Sequence, residues 1–155
     1  MTLTTAPPQD PDAFLRLVHH ALSRGRVRLA FQPVLRIDTP RLPLFHEGLI
    51  RMRDADGRPL PTTAVIEACE ARDAGRLIDL TALDLALDAV ERAPGLTLAI
   101  NVSARSIDTE AWRDRLARGL DRRPDLAGRL ILELTERSTP RFSRQAQAFL
   151  RQVRG

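Results

Sequence analysis

At 155 residues, 43% hydrophobic and 28% charged, the chain has the size and core content of one globular domain, with no room for a second. All 24 of its basic residues are Arg against 20 acidic ones, so the net charge is only +4 although the pI is about 11.0. The charges are interspersed without a like-charge block, which argues against a nucleic-acid polymer as partner, and no apolar run approaches the ~18 residues of a membrane span, which argues against insertion.

The single Cys69 can form no internal disulfide, so a reducing cytoplasm is the expected compartment. Met1 to Pro11 is polar and Pro-rich, without the basic and apolar regions of a leader, and reads as a loose tail (1–11) ahead of a domain over 12–155. Asp12 is the expected cap of a helix with Phe14, Leu15, Val18 and Leu22 at helical spacing, closed by Gly25. A strand follows over Leu29–Leu35, with Gln32 its one amide and Pro33 placed where a missing N–H is tolerable.

The next strand, about Leu42–Arg53, carries Glu47 and Arg51 inside an apolar run. Strand alternation puts Phe45, Glu47, Leu49 and Arg51 on one face, so acid and base point the same way, and an internal ion pair is one reading of them. Asp54-Ala55-Asp56-Gly57 is a turn; its Gly comes too early and no Glu stands twelfth, so it is not a calcium loop.

Two helices are then expected, Thr63–Ala74 with Val65, Ile66 and Cys69 inward and Gly75 as its stop, and Asp79–Arg92 with Leu80, Leu83, Leu87 and Val90 on its stripe. A strand over Leu96–Ser103 leads to a helix over Asp108–Arg122, in which Trp112, Leu116 and Leu120 read as packing. The last strand, Arg129–Glu136, precedes a helix started by Thr139 and Pro140 that carries Phe142, Ala146, Phe149, Leu150 and Val153.

From the third strand on, strand and helix alternate, which calls for parallel strands with helical crossovers. Leu96, Leu98, Ile100 and Val102 face one way and Thr97, Ala99 and Asn101 the other; Leu130, Leu132 and Leu134 likewise oppose Ile131 and Glu133. Large aliphatics would meet helices, and the small or polar face would line a barrel with its functional groups toward the carboxyl ends. Taken alone, Asn101 could cap a strand or turn, and Glu133 is an inward carboxylate that needs a partner. His19, His20 and His46 show no ligand spacing.

Four motifs stand in order and at matching intervals: Phe31-Gln32-Pro33-Val34, Glu47-Gly48-Leu49-Ile50-Arg51, Asn101-Val102-Ser103-Ala104-Arg105 and Glu133-Leu134-Thr135-Glu136. Together they resemble the EAL-domain family of cyclic di-GMP phosphodiesterases, from about Asp12 onward. The resemblance implies an α/β fold, an incomplete (β/α)8 TIM-type barrel of about four strands in which one strand is antiparallel. It implies hydrolysis of cyclic di-GMP to the linear dinucleotide with Mg²⁺ or Mn²⁺. Glu47, Asn101 and Glu133 would be the metal ligands, with Glu47 and Glu133 the catalytic carboxylates. Gln32 and Arg51 would contact substrate, Leu49 would lie against a guanine, and Glu136 would steady an active-site loop without binding metal.

The chemistry suits these residue types, since hard divalent ions take carboxylate and amide oxygens and acidify water for attack on phosphorus. Arg51 can fork onto a phosphate where a Lys could not. Gly48 replaces the Ala usual in the family signature, at a cost under about 1 kcal/mol.

The family's pattern continues past the last helix with a strand ending in paired Asp, then a Lys, a further Glu and a Gln, none of which this sequence supplies; it has no Lys at all. The expectation is therefore little or no hydrolysis by the isolated monomer, with unpaired sheet edges covered by a second copy or by a complementing EAL chain. A non-catalytic cyclic di-GMP-binding or protein-interaction module and a non-functional fragment are the alternatives.

Overall fold

The computed structural model describes residues 10–39, 41–134 and 143–153. The first helix, α1 (Pro11–Ser23), is capped by Asp10 and not by Asp12: the Asp10 carboxylate accepts from the Asp12 N–H at 2.9 Å, and Pro11 takes the first helical position, where its missing N–H costs nothing. Gly25, at φ +62°, ends it. Residues 1–9 of the expected tail lie outside the described residues.

Strands β1 (Val27–Leu35) and β2 (Pro43–Met52) form an antiparallel pair in which Gln32 stands opposite Glu47. Strands β3 (Leu98–Val102) and β4 (Leu130–Leu134) add in parallel, giving the order β1-β2-β3-β4. One antiparallel strand followed by parallel strands is the partial barrel wall expected from the sequence. Pro33 is accommodated because β1 is an edge among the described strands.

Between β2 and β3 run α2 (Thr62–Cys69) and α3 (Asp73–Arg92). Here the expected boundaries fail: α2 stops at Cys69, α3 begins six residues before Asp79, and Gly75 lies inside α3 instead of ending α2. The reason is steric. A Cβ on Gly75 would stand 2.6 Å from the Cys69 carbonyl oxygen, so the glycine lets the new helix start directly beside the end of the old one. Ile66 is more than a third exposed and is not an inward residue of α2, whereas Val65 and Cys69 are buried as expected.

Gly75 in α3 and Gly119 in the later helix Glu110–Arg122 allow a stability comparison. At Gly119, a Cβ would meet the mobile Cδ1 of Leu87 at 2.7 Å, a contact that a side-chain rotation relieves. Gly75→Ala is therefore expected to destabilise by about 1–3 kcal/mol through backbone displacement, although alanine is the better helix former by ~1 kcal/mol. Gly119→Ala is expected to stay within about 0.5 kcal/mol of wild type because helix propensity offsets the repacking. Urea midpoints of the two variants check the contrast.

After β3 come α4 (Ala104–Ile107) and α5 (Glu110–Arg122), separated by Asp108 and Thr109, and the Thr109 hydroxyl accepts from the Trp112 N–H at 3.4 Å. The helix expected over Asp108–Arg122 is α5, which starts two residues later, and the short α4 that precedes it falls where no helix was expected. A short 3-10 turn, Pro124–Arg129, leads into β4, and Arg129 donates from Nη1 to the carbonyls of Val90 and Ala93 at the end of α3. In α6 (Arg144–Val153), Ala146 is buried and Phe149 and Leu150 pack beside it, as expected; the proposed start at Thr139 and Pro140, and Phe142, lie outside the described residues.

One long helix joins two apolar clusters. The first half of α3 (Ala74, Ile78, Ala82) packs with Phe14 and Val18 of α1 and Ile50 and Met52 of β2. The second half (Leu83, Ala86, Val90) packs with Leu98, Ile100 and Val102 of β3 and with Trp112 and Leu116 of α5. The aliphatic face of the sheet therefore meets helices, as the alternation predicted, and the opposite face is left for the site. Among the described residues no helix is long and apolar enough to cross a membrane.

Candidate functional site

Residues paired in register share a face of a sheet, and so do residues two apart on one strand. Gln32 pairs with Glu47, Glu47 with Ala99, and Ala99 with Ile131; Asn101 pairs with Glu133 two positions further on. Leu49 and Arg51 follow Glu47 at intervals of two. All six described residues singled out in the sequence, Gln32, Glu47, Leu49, Arg51, Asn101 and Glu133, thus fall on the one face that the helices do not cover. Glu136 lies outside the described residues.

Within this face the Asn101 Nδ2 donates to Glu47 Oε1 at 2.8 Å. Glu47, Leu49, Arg51 and Glu133 are half-buried, and Gln32 and Asn101 are exposed. The Glu47–Arg51 ion pair considered from the sequence is not formed. The partner of Glu47 is Asn101, and the Arg51 Nη1 donates to the Ile50 carbonyl at 2.9 Å. The Thr62 hydroxyl reaches that same carbonyl at 3.5 Å.

Gly48 faces the helical side, where a Cβ would meet Ala99 O, Ile100 Cγ2 and Leu29 Cδ1, each at 3.3 Å. Its lack of a side chain suits this close packing of β2 on β3.

Among the described residues no three His, Cys, Asp or Glu side chains cluster as a cation site. The donor set that the sheet does bring together is two carboxylates, Glu47 and Glu133, with the carboxamide of Asn101 on the strand between them. These are hard oxygen donors with a combined charge of −2, which suits Mg²⁺ or Mn²⁺ and no soft metal. Asn101 uses its Nδ2 on Glu47, so its Oδ1 is the atom that would be left to accept or ligate.

Beside this face, a cavity of about 510 Å³ opens between the ends of β2 and β3 and helices α2 and α3. Leu49 and Asn101 line it with Thr62, Ile66, Asp79 and Ser103. Its mixture of apolar wall and few polar groups is that of a small-molecule site. Cys69 also borders it, but burial pushes the thiol up to about 11, so it is protonated and unreactive at neutral pH.

Asp79 was not singled out in the sequence. Its Oδ2 accepts from the Ser103 N–H at 3.0 Å, the Ser103 hydroxyl at 2.8 Å and the Ser106 hydroxyl at 2.6 Å. Burial raises its carboxyl pKa, and the Ser106 and Ser103 donors only partly oppose the rise. An acid whose folded value is raised holds its proton more tightly in the folded protein. Its stabilising contribution is present below the ordinary value of 3.8 and is lost as pH rises through the raised one. Asp79→Asn has no such loss, so the stability of the variant relative to wild type is expected to grow between about pH 4 and neutrality. Thermal unfolding across that range checks it, and a difference that does not change with pH contradicts it.

No curated protein matches the chain. The family model described as EAL domain matches residues 16–155. Among solved structures, the Xanthomonas citri FimX EAL domain in complex with c-diGMP aligns over 92% of this chain and 56% of its own, at 20% identity and a TM-score of 0.75. The Vibrio cholerae LapD S helix-GGDEF-EAL structure bound to c-di-GMP covers 97% of this chain and 37% of its own, at 18% identity and a TM-score of 0.77. The PaMucR phosphodiesterase in complex with c-di-GMP covers 90% and 58%, at 23% identity and a TM-score of 0.70. The chain thus spans little more than half, or less, of each of these structures, and the likeness in shape shows their fold. Because the family match runs through all four strands and every motif that lines the open face, the chain belongs to the EAL domain family.

Proposed function

We propose that the chain, as an EAL unit over residues 12–155 working in the cytoplasm, carries a metal and phosphodiester site for cyclic di-GMP. Glu47, Asn101 and Glu133 hold Mg²⁺ or Mn²⁺, and Gln32, Leu49 and Arg51 receive the dinucleotide. The carrying observation is the convergence of all six on one sheet face, with Asn101 bonded to Glu47 at 2.8 Å. Relatives of the same fold were solved with c-di-GMP bound, which supports the choice of ligand.

A bound divalent ion acidifies water and screens phosphate charge. The chain's own residues do the rest. Arg51 offers a planar fork of donors to a phosphate, Leu49 an apolar surface to a purine, and Gln32 an amide to a polar edge. Asn101 orients the Glu47 carboxylate by donating to one of its oxygens. Glu136, in the role of the acid that steadies an active-site loop, belongs to the same reading.

Binding without turnover is the second reading, and the composition and openness of the face favour it. Among the described residues the only anionic groups of the six on the face are the two carboxylates, Glu47 and Glu133, a set for one cation, whereas a two-metal clamp on attacking and leaving oxygens needs more anionic ligands. Gln32 and Asn101 are exposed, so water is not excluded, and β1 and β4 are edges among the described strands. A second copy or another EAL chain set against those edges would complete the site.

Calorimetry of the 155-residue chain with cyclic di-GMP in Ca²⁺, followed by product analysis in Mg²⁺, tests both readings. Saturable binding that Arg51→Ala weakens is the expected result. Linear dinucleotide in Mg²⁺ selects the enzyme, and binding without product selects the second reading. Failure of a folded chain to bind at all overturns both.

A further inference from the structure

Asp79 lies on α3, outside the face that carries the six site residues, and the chemistry proposed for that face does not use it. All three of its hydrogen bonds go to the segment that leaves β3. Ser103, the N-cap of α4, gives both its N–H and its hydroxyl, and the fully buried Ser106 gives a third donor. A single carboxylate oxygen therefore ties α3 to the chain two residues after Asn101. Val102, between the two, is buried in the core. With Val102 packed and Ser103 held, the backbone at Asn101 has little freedom to turn, and its exposed carboxamide is delivered to Glu47.

Capping alone does not account for the arrangement. The Ser103 hydroxyl already caps α4 by accepting from the Ser106 N–H at 3.2 Å. A half-buried carboxylate next to the buried Ile78 is a costly addition to a helix that is already capped. What it adds is a fixed connection between a rigid helix and the end of the central strand.

We propose that Asp79 is a positioning residue: by fixing the junction of β3 and α4 it aims the Asn101 side chain at Glu47. The inference rests on the reading of Glu47 and Asn101 as working parts of the site, but the first readout of its test is their contact itself and needs neither metal nor nucleotide.

The experiment is ¹⁵N NMR of the full chain, following the Asn101 side-chain amide. In the wild type one Nδ2 proton is expected downfield and protected by its bond to Glu47. In Asp79→Ala that proton exchanges at least tenfold faster and the two amide protons move toward solvent-like positions, while Asp79→Asn, which can still accept from Ser103, restores the signal in part. Ser103→Ala removes one donor to Asp79 together with the α4 cap, leaves the apolar clusters untouched, and provides the same test should Asp79→Ala fail to fold; it is expected to reproduce the faster exchange. In the same folded variants Mn²⁺ affinity, read by electron paramagnetic resonance well below the unfolding temperature, falls by about tenfold, the size typical of lost outer-shell support.

A structural tie without a positioning role would lower the melting temperature and leave both readouts unchanged, and that result overturns the inference. So does a wild-type Asn101 amide with no protected proton. If the wild type binds no Mn²⁺, the cation reading fails by itself, and the amide signals still decide whether Asp79 positions Asn101.

Discussion

Glu47→Gln is expected to weaken Mn²⁺ binding by about a hundredfold or more while leaving the fold in place. Loss of an outer-shell partner costs 10–100-fold in metal affinity, and loss of a charged direct ligand costs at least the upper end of that range. The substitution is close to isosteric. The Gln amide oxygen can still accept from Asn101 Nδ2, so the contact at 2.8 Å survives and only the charge is lost. Glu47 is half-buried on a sheet face away from both apolar clusters, so the change in stability should stay within about 0.5 kcal/mol. Calorimetric titration with Mn²⁺ alongside urea unfolding separates the two effects. Unchanged affinity in the variant would remove Glu47 from the site.

The largest effect on stability is expected from Trp112→Ala. Trp112 has no exposed surface and packs where α5 meets β3 and the second half of α3, so its removal takes the centre out of one of the two clusters. Truncating a buried Trp costs about 3–5 kcal/mol, a large part of the ~5–15 kcal/mol that holds a domain of this kind. At ~2–4 °C per kcal/mol the melting temperature should fall by about 10 °C. Among the described residues the indole Nε1 has no hydrogen-bond partner, so Trp112→Phe removes volume without breaking a bond and should cost distinctly less. Thermal unfolding followed by circular dichroism measures both, and equal losses for the two variants would contradict a packing role.

The strands and the site were legible because both are written in the strand period. Asn101 and Glu133 sit among aliphatic residues that alternate with them, and that alternation gave the face before any topology was known. Glu47 and Arg51 shared the same period, but their relation did not follow from it. Side chains four apart on a strand are two pleats apart, whereas Asn101 on the next strand is the diagonal neighbour of Glu47, two positions past its partner Ala99, and only the register brings it there.

Helix boundaries were less legible, each for a local reason. Gly75 has the composition of a stop, but its use is close approach to Cys69, a tertiary contact with no local signature. Asp10 and Asp12 both have cap chemistry, and it is Pro11 between them that selects Asp10. The four-residue α4 before Thr109 is too short to show a helical period of its own, so only α5 was legible there.

Asp79 was missed because a lone acid near the start of an expected helix reads as a surface or cap residue. Two signals were available: its place beside Ile78 on the inward side of α3, and the Ser103-Ala104-Arg105-Ser106 stretch with two hydroxyls three residues apart. Neither indicates a contact until α3 is known to pass the end of β3.

The central claim, that the side chains of Glu47, Asn101 and Glu133 converge on one cation, is tested most directly by paramagnetic broadening. Substoichiometric Mn²⁺ added to the ¹⁵N-labelled chain should first erase the backbone amide signals of residues 47, 101 and 133 and their sheet neighbours Ala99 and Ile131, leaving those of α5 sharp, and excess Mg²⁺ should restore them. Broadening centred elsewhere, or spread evenly over the acidic surface and insensitive to Mg²⁺, would contradict it.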